Sequence, residues 1–188
     1  IAIQGFFFFF APAQPTMIQM SDRSNQWYAL IAKPRQDKKL AQYLAYSAFE
    51  YYLPLVRQKH QWSDRTKNID VPVMSPYVFV FTCEAERNRV FDSGSALSYV
   101  RRHGQTSIIA PNEIELIRHI CTHGVEPTLQ TATIQCGDRV QITAGPLKGM
   151  EGCILEVQGR WRFFVRLDGL GAWASCSIER KYLRRLDH

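Results

Sequence analysis

No apolar stretch approaches the ~20 residues that a membrane-crossing helix needs, so no membrane-spanning role is expected. C-x-x-C is absent, and the five cysteines (83, 121, 136, 153 and 176) are an odd number, so neither a disulfide framework nor a zinc ribbon is indicated. Buried free thiols in a reducing, cytoplasmic compartment fit that usage better. There is no phosphate-binding G-x-x-x-x-G-K-S/T, no G-x-S-x-G elbow, no catalytic Cys–His signature and no paired carboxylate set. Catalysis is therefore not expected, and no cofactor is implied. Gly169-Leu170-Gly171-Ala172-Trp173-Ala174 spells G-x-G-x-x-A but lacks the strand–turn–helix context that a nucleotide site needs. His119, Cys121 and His123 cluster, and histidines at i and i+4 can share a metal. No acidic base or supporting ligand pattern accompanies them, so no metal site is assigned.

What is present is globular: 188 residues, 46% hydrophobic and 21% charged, enough for one ordinary domain or two small ones. Collagen-like, coiled-coil and wholly disordered chains are excluded. Lysine and arginine number 23 against 17 acidic residues, for a net charge of +6. Such an excess attracts polyanions, which permits nucleic acid as a partner without specifying a fold.

Residues 1–26 differ from the rest. The run Phe6 to Phe10 leads into Ala11-Pro12-Ala13, an apolar segment before A-x-A like that of a secretory signal. No Lys or Arg precedes it, and the cysteine usage argues against export. It reads as a disordered or artefactual leader, with Met17 and Met20 as candidate starts, and it is left out of the fold argument.

Trp27-Tyr28-Ala29-Leu30-Ile31-Ala32 reads as a strand that Pro34 ends. Leu40, Tyr43, Leu44 and Ala48 predict a helix within 36–50 with one buried face. A strand is expected over 51–56, a polar hairpin loop over 58–68 and a further strand over 69–82. Tyr77-Val78-Phe79-Val80-Phe81, apolar on both faces, should be central in its sheet. A short polar helix is expected over 84–93 and a strand fragment over 97–101. Pro111, followed by acidic residues and by Ile114, Ile117 and Ile120, predicts a helix ending before Gly124. Residues 125–135 show no period and read as a linker. Four short β-rich runs follow at 140–143, 153–157, 161–167 and 173–178, spaced as in a small barrel. The fold expected is α+β over 27–124, then a β module over 136–188. Residues 27–126 hold 13 basic and 10 acidic side chains and residues 127–188 hold 9 and 6, so each part carries +3.

The sharpest pattern is Gly137-Asp138-Arg139-Val140-Gln141-Ile142-Thr143-Ala144-Gly145-Pro146-Leu147-Lys148-Gly149-Met150-Glu151-Gly152. A polar turn launches an alternating strand, Gly145-Pro146 reverses it, and Gly149 and Gly152 permit positive φ or close backbone approach. This resembles the KOW motif, the first hairpin of an SH3-like barrel in transcription elongation factors and several ribosomal proteins. Upstream, Trp27-Tyr28-Ala29-Leu30, Pro34-Arg35, a Lys-rich helix, Tyr52-Leu53-Pro54-Leu55, Pro76-Tyr77-Val78-Phe79-Val80 and Asn112-Glu113-Ile114 follow the order of the NusG N-terminal (NGN) domain. The resemblance covers about 27–180 and leans toward the specialised RfaH, LoaP and UpxY group, with the Trp62-Ser63-Asp64-Arg65 loop on that side. Met74-Ser75-Pro76-Tyr77 departs from the family's Phe-Pro-Gly-Tyr, so the turn before the central strand is in doubt.

The resemblance implies a ferredoxin-like NGN α/β sandwich, a KOW barrel, and a monomer acting in transcription elongation and antitermination. Its NGN domain would grip the clamp helices of the largest RNA polymerase subunit at Ile31, Tyr77, Phe79 and, more loosely, Ile117. The bare residue reading of these positions is core. Positions 78 and 79 in any case face opposite sides of a strand. Arg87 and Arg89 match the helix of RfaH-like members that faces non-template DNA, the alternative being a solvated face neutralised by Glu84 and Glu86; Arg101 and Arg102 form a second basic pair near the same end, also read as DNA-binding. In the barrel, Arg139, Lys148, Arg160, Arg162 and Arg166, interleaved with Trp161, Phe163 and Phe164, suit nascent RNA. Family barrels also take the termination factor Rho or a small-subunit ribosomal protein. The plain alternatives are a barrel core with solvated charges and, for the whole chain, a KOW-type RNA-binding or ribosome-associated protein.

Overall fold

The computed structural model describes residues 24–61, 66–130, 135 and 137–186. The leader up to residue 23, the 62–65 loop and Cys136 lie outside the described residues.

The first module is a mixed α/β unit. Its elements are β1 (Gln26–Ala32), α1 (Asp37–Tyr46), β2 (Glu50–Tyr52), β3 (Leu55–Gln61), β4 (Thr66–Pro72) and β5 (Tyr77–Thr82). A 3-10 turn (Arg87–Ser93), β6 (Ala96–Tyr99), β7 (Arg101–Arg102), β8 (Gln105–Thr106), β9 (Ile108–Ile109) and α2 (Pro111–His123) complete it. The main sheet runs β2-β5-β1-β6, with β9 also on β1. β1 and β5 are antiparallel and both internal, which explains their two-sided apolarity. Tyr28, Leu30, Val78 and Val80 pack with Leu40 and Leu44 of α1. The alternate residues Trp27, Ala29 and Phe79 pack with Ile114, Ile117 and Ile120 of α2. A period of two on the strands and near 3.6 on the helices thus gives helix, sheet and helix in three layers.

Several expected elements shift. Pro54 divides the predicted 51–56 strand into β2 and the start of β3. Of the expected 58–68 loop, residues 58–61 and 66–68 belong to a β3–β4 ladder that pairs Leu55 with Pro72 through Gln61 with Thr66. Among the described residues this ribbon pairs with no other strand, and its polar sequence disguised those strand ends as a loop. The expected 84–93 helix is a 3-10 turn from Arg87, stopped by Gly94 at φ 63°. The helix expected up to Gly124 forms as drawn, with Pro111 in its first turn.

The second module contains β10 (Val125–Gln130), β11 (Arg139–Ile142), β12 (Glu151–Val157), β13 (Arg160–Leu167), β14 (Ala172–Ser177) and β15 (Leu183–Arg185). They form one antiparallel sheet ordered β10-β14-β13-β12-β11-β15. Among the described residues its end strands do not pair with each other, so the sheet is open where a closed small barrel was expected. The linker reading of 125–135 is corrected over its first half. β10 pairs with β14, and the register shift between Val125 and Thr128 falls at Pro127, which has no N–H to give a ladder. Gly149 adopts φ 89° as the motif suggested. At Gly152 a Cβ would stand 2.3 Å from the Phe164 carbonyl oxygen, so β12 and β13 approach there only over glycine.

The thiol expectation also needs correction. Cys153 is disulfide-bonded, whereas Cys83, Cys121 and Cys176 are free. Pairing depends on proximity in the fold, which cysteine spacing does not report. Burial pushes the thiols of Cys121 and Cys176 up to about 11.

The modules share a core. One buried cluster runs from Trp27 and Phe79 through Ile117 and Ile120 of α2 to Ile142, Ile154, Phe163 and Cys176. A polar seam adjoins it. The Gly169 N–H donates to the Glu113 carboxylate at 3.1 Å, and the Ser107 hydroxyl donates to the Gly169 carbonyl at 2.5 Å. The Arg102 guanidinium donates to the Asp168 carbonyl.

Candidate interaction surfaces

On β1 and β5, Ile31 lies directly across from Tyr77. Both are half-buried, against the same cluster as the half-buried Tyr52, Phe81 and Leu116. The pair sits where the chain turns into β5, with the Ala32 N–H donating to the Pro76 carbonyl at 2.8 Å. Phe79 and Ile117 do not share that openness: each is 0% exposed. α2 covers this part of the sheet, and Tyr52 stacks on Phe79 with centroids 6.2 Å apart. The expected apolar docking set is thus corrected to Ile31 and Tyr77 at the surface, with Phe79 and Ile117 supporting them from beneath. Side by side on β1 and β5, the pair forms an apolar strip. Arg118 lies 4.5 Å from the Tyr52 ring centroid. Burial, then the neighbouring Cys121, raises the Tyr52 hydroxyl above its ordinary range and keeps it neutral.

At the other end of β1 a groove of about 500 Å³ is lined by Gln26, Tyr28, Arg87, Arg101, Gln105 and Thr106, among others. It brings together two arginines singled out separately from the sequence. Tyr99 fixes the turn that carries Arg87: its hydroxyl donates to the Arg87 carbonyl at 2.7 Å, and the Arg87 guanidinium lies 5.9 Å from its ring centroid. Burial raises the Tyr99 hydroxyl too, so it stays a donor. Glu84 also lines the groove and pairs with Arg87 at 2.7 Å, so an anion there must compete with a carboxylate. Arg101 is exposed on β7. Arg89 points elsewhere, over the Phe49 ring at 5.3 Å and toward Glu86 at 3.4 Å. Arg102 is corrected from nucleic-acid contact to seam residue, because its guanidinium is taken by the Asp168 carbonyl. Neighbouring strand positions point to opposite sides, which separates it from Arg101.

In the second module the four arginine and lysine positions diverge. Arg162 is half-buried and donates to Thr128 at 3.1 Å and to Ser175 at 3.2 Å, tying β13 to β14 and β10. It is corrected from ligand contact to structural clasp. Arg139 is exposed and pairs with Glu151 at 3.8 Å. Lys148 and Arg160 are exposed. Phe163 and Phe164 are core, so only Trp161 of the expected aromatics remains partly open. The sequence reading named Arg166 and Trp161 but missed their partners: Arg180 lies 5.1 Å from Trp161, and Arg166 lies 5.3 Å from Trp173. Trp173 sits on an alternating strand, a signal that was available. Arg180 lies beyond the last expected strand and gave none. Trp161 and Arg160 line a groove of about 810 Å³ with Ile142, Leu147, Tyr182 and His123. Arg139, Arg166 and Trp173 line another of about 730 Å³.

A family model described as transcription termination factor nusG matches residues 25–118, half of the chain. The match covers most of the first module and ends within α2. Among solved structures, a chain from the crystal structure of the MjSpt4:Spt5 complex, conformation B, is 16% identical with a TM-score of 0.29. That alignment covers 86% of this chain and 97% of the other.

Proposed function

The chain belongs to the NusG family of transcription factors, and on that premise we propose that it is an elongation factor with antitermination activity. The first module docks a helical tip of the RNA polymerase clamp on the Ile31–Tyr77 strip, with Phe79 and Ile117 as its rigid floor. Its second surface, the groove holding Arg87 and Arg101, takes exposed non-template DNA, while Arg89 on the same turn faces away toward Phe49. The second module is a KOW-type, SH3-like unit that recruits a further partner, Rho or a small-subunit ribosomal protein, or touches nascent RNA through Arg139, Lys148 and Arg160. The factor works as a monomer in the cytoplasm, where its polymerase is.

The single observation that carries this reading is the separation of the two surfaces by one strand. Gln26 and Tyr28 line the groove and Ile31 supports the strip. At ~3.3 Å per residue Ile31 lies roughly 10 Å from Tyr28 and roughly 17 Å from Gln26 along the strand. Tyr28 and Ile31 also face opposite sides of the sheet. A protein helix and a nucleic-acid strand can therefore be held together without colliding. Holding both favours the closed, elongating polymerase by differential affinity, with no covalent step. In a pull-down with core polymerase, Tyr77→Ala is expected to lose binding while remaining folded. Arg87→Ala with Arg101→Ala is expected to keep polymerase binding and lose crosslinking to non-template DNA. Unchanged polymerase binding by Tyr77→Ala would remove the assigned strip.

A second reading, an RNA-binding protein without polymerase, draws on the Arg180–Trp161 and Arg166–Trp173 pairs, since guanidinium and indole together suit single-stranded bases. RNA affinity with a steep salt slope and no polymerase association would select it.

A further inference from the structure

Two imidazoles used by neither surface face each other on α2. His119 and His123 are exposed, one helical turn apart, with ring centroids 5.8 Å apart and planes tilted at 45°. Residues at i and i+4 share a helix face. Among the described residues neither ring makes a hydrogen bond or ion pair; their contact is with each other. Glu115, one turn before His119, is paired with Arg118 at 3.4 Å. His123 is the last residue of α2, at the negative end of the helix dipole, where a cation is favoured.

We propose that His119 and His123 chelate a zinc ion on this face of α2. Neutral imidazole suits borderline divalent ions, and the i, i+4 spacing on a helix lets both rings reach one metal. No third His, Cys, Asp or Glu completes the group among the described residues. Two protein ligands thus leave the remaining positions to water, which makes the site exchangeable and not a folding requirement. Its location gives it a consequence. His123 also lines the 810 Å³ groove of the second module, and α2 leads through Gly124 into β10. Bound zinc fastens the last turn of the helix that both modules pack against.

The test is titration of zinc chloride into the full chain, read by calorimetry and by thermal unfolding. A single ion is expected, with Tm rising by about 5 °C or more at zinc a hundredfold above its Kd. His119→Gln and His123→Gln are each expected to weaken binding tenfold or more, and because both side chains are exposed both variants fold. His103→Asn, in the β7–β8 turn, is expected to change nothing. Absence of zinc binding by the parent chain overturns the proposal. So does undiminished affinity in both glutamine variants, which would assign the ion to a thiol.

Discussion

The two modules carry the same formal excess of charge, 13 basic against 10 acidic residues in one and 9 against 6 in the other, and deploy it differently. In the first, Arg87 and Arg101 converge on one groove from elements 14 positions apart. In the second, Arg162 is drawn into hydroxyl contacts, Arg139 faces Glu151, and Arg166 and Arg180 lie against indoles. Availability is thus set by what each guanidinium already touches, and equal net charges hide that.

The sharpest way to break the comparison is at the floor of the first module. Phe79→Ala empties a fully buried site and is expected to cost about 3–5 kcal/mol in urea unfolding. An Arg139→Ala control should stay within about 0.5 kcal/mol. A Phe79→Ala protein that keeps full stability yet loses polymerase would return Phe79 to the surface. Next is the seam. In Gly169→Ala the new Cβ would lie 2.7 Å from a Glu113 carboxylate oxygen and 2.8 Å from Ile109. A loss of about 1–3 kcal/mol is expected, with faster amide exchange in the first turn of α2.

Within the second module, Arg162→Ala leaves the Thr128 and Ser175 hydroxyls without a charged donor, for about 1–2 kcal/mol. Lys148→Ala, exposed, should cost about 0.5 kcal/mol or less. Equal effects would erase the distinction between clasp and surface. The smallest expected effect is alkaline. Cys121 and Cys176 have native values raised to about 11 by burial, so the folded chain holds those protons longer than the unfolded chain. Their contribution is complete below the ordinary thiol range, near pH 8.5, and fades as pH rises toward 11. Denaturant midpoints measured between pH 8 and pH 11 should fall, and fall less in Cys176→Ala. A midpoint that rises over that range would reverse the sign of this linkage.

The parts legible in the sequence were those where a local period meets a single environment. The double-sided apolar run at 77–81 can only be an internal strand, and Pro111 with isoleucines three apart can only start an amphipathic helix. Tyr77 and Phe79 defeat that logic. They occupy the same face of one strand, and only the coverage by α2, 40 residues further on, makes one half-open and the other sealed. Arg101 and Arg102 differ for a similar reason, since the turn that captures Arg102 comes from the other module. β10 escaped because its ladder is irregular around Pro127, and Pro127 interrupts the alternation of its residues. The Arg87–Arg101 groove was legible residue by residue, but not as one place.

Because α2 packs on the first sheet and passes through Gly124 straight into β10, the described chain joins the modules without an intervening coil to absorb a pull. A force applied at the second module during binding is transmitted along the axis of that helix to Ile117 and Ile120, the residues beneath the strip. In the proposed mechanism, recruitment by one module and grip by the other would be coupled through α2 acting as a stiff rod.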